Sequence, residues 1–309
     1  MRENFKYTDK DNVVLNVYKW IPQGAPKAAL QIAHGMTETV LRYDEFAKFL
    51  NEQGFIVYGH DHRGHGLTAP SKEDLGFLGE ENGFEWLVND VYELTELIKK
   101  ENPNIPVILF GHSMGSFVSQ RYLELHGDEI DGIILSGTDG EPNKAIPFGV
   151  VLSAAEMKLL GKKHTSKVID KLLFGYFNNQ FKPTRTAYDW LCSVDEEVDK
   201  YIANEHCGFV CSSSFFNELF KGLRRIHRPE NFNQIPKDLP IYIIAGEKDL
   251  VGRSGKGIRN LYDKLKEHGV KDVEYKLYAN KRHEILNEDN KHEVMQDVDN
   301  WINQKIKFL

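Results

Sequence analysis

Gly111-His112-Ser113-Met114-Gly115 follows a short apolar run, residues 107–110, and opens a long amphipathic stretch. A G-x-S-x-G at the junction of a strand and a helix is a nucleophile elbow. Its glycines let the backbone turn so tightly that the serine hydroxyl stands clear above the sheet. The motif therefore demands a buried strand feeding a helix. It also names Ser113 as a nucleophile on one edge of a sheet, against which every other catalytic group can be tested.

The rest of the chain supplies that sheet. Residues 13–20 read as an early strand closed by Pro22 and Gly24. Residues 28–33 form a continuous apolar strand, and 42–53 are helical by the spacing of Phe46, Phe49 and Leu50. The alternation continues with a strand at 55–58, a helix at 84–100, the elbow strand, a helix through Leu125 and a strand at 132–135. It resumes with a strand at 241–244, a helix at 258–268, a strand at 273–278 and a C-terminal helix. Strands that are apolar throughout, alternating with helices, predict a mostly parallel, doubly wound α/β sheet. Between residues 141 and 237 the alternation fails and helical segments appear at 148–160, 168–177, 195–204 and 215–226. A helical insertion between parallel strands sits over their carboxyl ends, where open α/β sheets bind ligands. The expected organisation is thus a core from 1–140, a helical cap from 141–237, and the second part of the core from 238–309.

Chain-level properties narrow the function. A net charge of −7 argues against a nucleic-acid binder, which carries a basic excess. Cys192, Cys207 and Cys211 cannot form a full disulfide set and lack C-x-x-C spacing, so free thiols in a reducing compartment are expected. The first residues show no apolar signal core, and no apolar run approaches the roughly 18 residues of a membrane span. The expectation is a cytoplasmic protein.

A serine hydroxyl needs a base, and the base needs an orienting acid. With an elbow of this kind, characteristic of α/β-hydrolases, the chain order is Ser, then Asp or Glu, then His. Of the twelve histidines, only His268, His283 and His292 follow the late acid loop. His268 stands at a helix end before Gly269, and His292 lies inside the last helix pattern. His283 falls in a loop just beyond a strand and is the expected base. For the acid, the strand at 241–244 runs into Gly246-Glu247-Lys248-Asp249. Asp249 is the choice, with Glu247 and Asp139 as competitors. Two backbone N–H groups would hold the oxyanion: Met114, after the nucleophile, and Met36, in the His34-Gly35-Met36 loop after an earlier strand.

Five segments occur here in the order found in monoacylglycerol lipases and related lysophospholipases. They are His34-Gly35-Met36-Thr37-Glu38, Asp61-His62-Arg63-Gly64-His65-Gly66, the elbow, Gly246-Glu247-Lys248-Asp249 and Arg282-His283-Glu284. The phrase Tyr188-Asp189-Trp190-Leu191, followed by Asp195 and then Cys207-Gly208-Phe209, also resembles that family. The resemblance spans nearly the whole chain. It implies an α/β-hydrolase fold, a cap-covered acyl pocket, a lipid or ester substrate and no cofactor, with Glu38 and Arg42 near the polar head end of the substrate. It departs at Ser116, where the family usually has a second glycine.

Other constellations compete less well. His60-Asp61-His62 with His65 offers zinc-type ligands, but the glycine-punctuated Arg63-Gly64-His65-Gly66 turn fits a strand-end loop, and Arg63 would repel a cation; no metal is expected. The basic run Arg224-Arg225-Ile226-His227-Arg228 reads as a solvated face, with contact to headgroup phosphates as the sharper alternative. The aromatic-rich cap segments around Phe148-Gly149-Val150-Val151-Leu152 and Phe174-Gly175-Tyr176-Phe177 divide between cap core and acyl contacts, with Val151 and Phe177 taken as substrate-binding. They also leave open a transient contact of the cap with a membrane surface. Two other functions stay in view. One is an aminopeptidase on the same fold, gripping a substrate ammonium with Glu196 and Glu197. The other is a non-catalytic receptor on a hydrolase scaffold, which would have no need of all three triad groups.

Overall fold

The computed structural model describes residues 1–141 and 144–307. The strands are β1 (Arg2–Thr8), β2 (Val14–Trp20), β3 (Ala28–Ala33), β4 (Phe55–Asp61), β5 (Val107–His112), β6 (Gly132–Ser136), β7 (Ile241–Gly246) and β8 (Val273–Tyr278). The helices of the sheet region are α1 (Asp44–Glu52), α2 (Gly83–Glu101), α3 (Met114–His126), α9 (Lys256–Glu267) and α10 (Lys291–Ile306). Between β6 and β7 lie α4 (Ile146–Leu160), α5 (Lys167–Asn179), α6 (Asp195–Ala203), α7 (Ser213–Ile226) and α8 (Pro229–Phe232).

One sheet runs in the order β1-β2-β4-β3-β5-β6-β7-β8. β1, β2 and β4 pair antiparallel, and every pairing from β4 onward is parallel. β3 to β7 are buried at every position, because helices cover both faces; that is why their sequences are continuous apolar runs rather than alternations. One face packs α2, α3 and α9 through Leu87, Val118, Tyr122 and Leu261. The other packs α1 and α10 through Phe46, Leu50, Val298 and Trp301.

The differences from the sequence reading fall at polar strand ends. β4 continues through Gly59, His60 and Asp61, and β5 through Gly111 and His112, where polar residues reach the carboxyl edge and apolar patterning gives no signal. β1 is an additional edge strand, largely exposed, whose weak hydrophobicity did not mark it. The helix expected from 42 begins at Asp44, since Val40–Tyr43 is a separate 3₁₀ turn capped by the Thr39 hydroxyl.

The insertion is unevenly anchored. α7 buries most of its length and packs against α2, α3 and α4. By contrast α4 buries only Ile146 and Ser153, and α5 only Ile169 and Asn178. Among the described residues, no helix is long and apolar enough to cross a membrane.

Candidate active site

Ser113 sits between β5 and α3 with φ 51° and ψ −119°, a backbone conformation that costs a side-chain-bearing residue about 1–3 kcal/mol and is held only by its surroundings. Those surroundings are crowded. A methyl on Gly115 would run into the Ala33 and His34 carbonyls, and one on Gly111 into the Gly115 carbonyl and Ser119 Oγ. The turn is tied down by Ser113 N–H donating to the Ser136 carbonyl at 2.9 Å. Ser116, where the resemblance expects glycine, is fully buried and donates its hydroxyl to the Ser113 carbonyl at 2.6 Å. The departure thus adds a hydrogen bond to the elbow.

His283 lies beyond β8 and Asp249 beyond β7, both buried. His283 Nδ1 is 2.9 Å from Asp249 Oδ1. In the neutral ring this places the proton on Nδ1 and leaves the Nε2 lone pair free to accept one. Asp249 Oδ1 also accepts the Val251 N–H at 2.9 Å. Burial pushes the His283 pKa down, but the Asp249 charge and hydrogen bond outweigh it, so the pKa lies above the ordinary histidine value. The His112 ring, 4.7 Å from that of His283, is pushed the other way by burial and by His283 itself. Gly137, after β6, has φ +60°, and a methyl there would come within 2.9 Å of His283 Cε1.

The competitors lie elsewhere. His268 stacks on Phe232 and bonds Asn233, His292 is exposed on α10, and Glu247 is exposed and accepts the Asn280 N–H. Asp139 lines the cavity described below but is engaged by Arg253 at 2.8 Å.

Glu38, Arg42 and Glu284 form a buried network. Arg42 donates to both Glu284 oxygens and to Glu38 Oε2, each at 2.6 Å, and its guanidinium lies over the Tyr201 ring. Glu38 Oε1 accepts the Gly35 N–H at 2.5 Å and the Tyr43 hydroxyl at 2.8 Å. Burial disfavours both carboxylates, but the bidentate Arg42 contact holds the Glu284 pKa at about 2. Glu38, desolvated and facing the Glu284 charge, is raised despite Arg42. Arg42 was expected near the substrate; it does not line the cavity, because both neighbouring carboxylates hold its guanidinium inside the protein. Glu38 does line it.

The carboxyl edge of the sheet opens into a cavity of about 710 Å³. Ser113, Met36, Met114 and His283 line the sheet side. Phe148, Leu152, Phe174, Phe177 and Trp190 line the side formed by the insertion. Phe148 and Leu172 line the cavity while standing 64% and 58% exposed, which marks its mouth. Val151, expected among the substrate contacts, is 67% exposed and not on the lining, to which α4 contributes Phe148, Gly149 and Leu152. Phe177 is on the lining. Glu196 and Glu197 are not, so the carboxylates that would grip an ammonium lie outside it.

The histidine-rich loop is packed rather than open. His34, His60, His62 and His65 are fully buried, with ring centroids 4.2–5.2 Å apart for the pairs His34–His62, His60–His62 and His34–His65. His34 Nε2 accepts the His62 N–H at 2.9 Å, a structural hydrogen bond. Among the described residues, no group of three or more His, Cys, Asp or Glu side chains is placed to hold a metal ion. Arg63 points into Asp9, Asp11 and Asp90. In the basic run, Arg225 pairs with Glu85, while Arg224 and Arg228 are exposed.

Trp190 was given no role from the sequence. The Trp190 indole stacks on the His283 ring with centroids 5.1 Å apart. Its only signal was membership of the Tyr188-Asp189-Trp190-Leu191 phrase, which carries no chemistry by itself.

Residues 24–290 match the family model described as serine aminopeptidase, S33. The chain is 25% identical over 294 residues to the monoglyceride lipase of Mus musculus, covering 93% of this chain and 86% of that one. It is 28% identical over 286 residues to the monoacylglycerol lipase of Mycolicibacterium smegmatis, covering 92% and 90%. A thermostable carboxyl esterase from Bacillus coagulans, solved in complex with glycerol, superposes with a TM-score of 0.91 at 26% identity over 99% of both chains. With the model matched over most of its length and the sheet order to go with it, the chain belongs to the serine aminopeptidase S33 family of α/β-hydrolases.

Proposed function

We propose that this protein is a serine hydrolase of lipid-like carboxylic esters, monoacylglycerols or lysophospholipids, acting through an acyl-enzyme. The observation that carries the reading is the juxtaposition at one cavity. A serine on a strained elbow and the ring of His283, backed by buried Asp249, share the wall of a large, mainly apolar chamber. The relatives named as monoglyceride and monoacylglycerol lipases support the ester chemistry and the lipid substrate.

In this reading Ser113 Oγ attacks the ester carbonyl carbon while His283 Nε2 takes its proton. Asp249 fixes the ring and stabilises the imidazolium. The backbone N–H groups of Met36 and Met114 hold the oxyanion. Collapse expels the alcohol, which takes the proton from His283, and water repeats the sequence on the acyl-enzyme. None of these steps calls for a cofactor. Residues 1–140 and 238–309 supply the chemistry, and 141–237 act as a cap whose Phe177 meets the acyl chain while Glu38 faces the head end.

The cap also suits brief contact with a membrane surface. Val168, Leu172 and Tyr176 form an exposed stripe along α5 at helical spacing, and Leu159 and Leu160 are exposed at the end of α4. Three free thiols support a cytoplasmic location. The test is hydrolysis of a panel of acyl esters of graded chain length and head group by wild type and Ser113→Ala. Wild type should prefer long chains, and Ser113→Ala should lose about 10⁴- to 10⁶-fold, since triad members act as a unit. Activity of Ser113→Ala within tenfold of wild type, in protein free of contaminating esterase, would sink the assignment.

A further inference from the structure

Trp190 belongs to the insertion, yet its surroundings belong to the base. It is 7% exposed and lines the cavity. One face of its indole lies on the His283 ring, 5.1 Å between centroids at 29°. Phe174, stacked at 5.3 Å and 14°, and Phe177, at 5.3 Å and 50°, hold it from α5. Its backbone N–H donates to Asn178 Oδ1 at 3.1 Å.

The neighbouring backbone is stitched to the His283 loop residue by residue. Glu284 N–H donates to the Leu191 carbonyl at 2.7 Å. Arg282 donates to the Asp189 carbonyl and, at 3.0 Å, to that of Cys192. Glu288 accepts the N–H groups of both Ser193, at 3.1 Å, and Arg282, at 2.9 Å. Residues 189–193 and 282–288 are therefore joined by several hydrogen bonds, with the indole packed between His283 and α5.

We propose that Trp190 is a positioning residue for the reaction: its indole face holds the His283 ring on Asp249 and favours the imidazolium that forms when Ser113 gives up its proton. The inference rests on the ester-hydrolase reading above. Asp249 holds one nitrogen of the imidazole, which leaves rotation and tilt of the ring to be restrained by what packs on its faces. A π face is also the apolar surface that best tolerates a cation. The other titratable and charged groups facing His283 are Asp249, Glu284, Glu38 and His112. All four come from the sheet side, so Trp190 is the insertion's own contribution to the base.

Two measurements test it on full-length protein. With a short acetyl ester, which has little acyl contact to lose, Trp190→Leu should lower kcat about 10- to 100-fold, the scale of a displaced catalytic group, with KM changed less than about threefold. Its acid limb of kcat/KM should move to lower pH, and Trp190→Phe should recover kcat to within about fivefold of wild type. Separately, the wild-type-minus-Trp190→Phe fluorescence difference should titrate with the midpoint of that acid limb, since an imidazolium quenches an indole stacked on it. The titration should vanish in His283→Gln. Wild-type kcat and limb in folded Trp190→Leu would overturn the proposal, as would a fluorescence difference that ignores pH. If Trp190→Leu melts early, the fluorescence arm decides, since it needs only wild type, Trp190→Phe and His283→Gln. Failure of wild type to cleave any ester would instead overturn the ester-hydrolase reading, with the fluorescence arm still reporting on the stack.

Discussion

The cavity has two walls built in opposite ways. On the sheet wall, β5 and β7 are buried at every residue and carry Ser113 and Asp249 just past their ends, and His283 follows β8, on short loops tied by hydrogen bonds. On the insertion wall, α4 and α5 bury two residues each and hold apolar side chains in solvent. The first wall pre-organises atoms that must meet within tenths of an ångström. The second offers apolar area of adaptable shape, which suits a flexible acyl chain better than a rigid slot. Trp190 is one place where the walls touch, an insertion residue laid on the sheet-side His283 ring.

If the sheet wall works by fixed geometry, small intrusions should be costly. Gly137→Ala places a methyl 2.9 Å from His283 Cε1 at a residue with φ +60°. It should lower kcat by about 100-fold, the scale of a displaced catalytic group, with little change in KM in protein that still folds. Near-normal kcat would mean that the base has more room than the geometry gives it.

The insertion wall should respond to chain length instead. Phe177→Asp should reduce the kcat/KM ratio of long to acetyl esters by about 30-fold, equivalent to two or three lost methylene contacts at about 0.8 kcal/mol each. Val151→Asp, on the outer side of α4, should leave that ratio within about threefold. The measurement is the ratio on variants of unchanged melting. Equal effects of the two substitutions would erase the distinction between lining and outer residues.

A smaller effect concerns stability at the base of the sheet wall. Burial holds the pKa of His60 at about 3, against an ordinary 6.5. A folded-state pKa below the unfolded one means the unfolded chain binds the extra proton, so stability falls as pH drops below 6.5. At pH 5 the cost is about 2 kcal/mol relative to pH 7. Denaturant unfolding of wild type should therefore lose about that much more between pH 7 and 5 than His60→Phe does. Identical pH slopes would show that His60 is not held neutral.

The sequence made some of this legible and hid the rest for identifiable reasons. β3 and β8 have the bounds read from apolar patterning, and α4 to α7 fall within a few residues of their expected places, whereas the single turn of α8 is too short to leave a period. Chain order and loop position singled out His283 from three candidates. Val151 could not be distinguished from Phe148 or Leu152, since α4 is apolar nearly all round and periodicity does not say which face meets the cavity. The position of Arg42 depends on Glu284, 242 residues away, and a pairing at that distance leaves no local trace. Trp190 was unreadable for the same reason, its partner lying in a loop on the far side of the sheet's last strand.

The most direct measurement maps the site of reaction with a fluorophosphonate, in which the serine oxygen displaces fluoride at phosphorus as the base takes the hydroxyl proton. Intact-mass and peptide analysis should find one adduct per chain, on Ser113, forming at least about a thousandfold more slowly in His283→Ala. An adduct on another residue, or a Ser113 adduct that forms as fast without His283, would contradict the assignment of Ser113 and His283 as nucleophile and base.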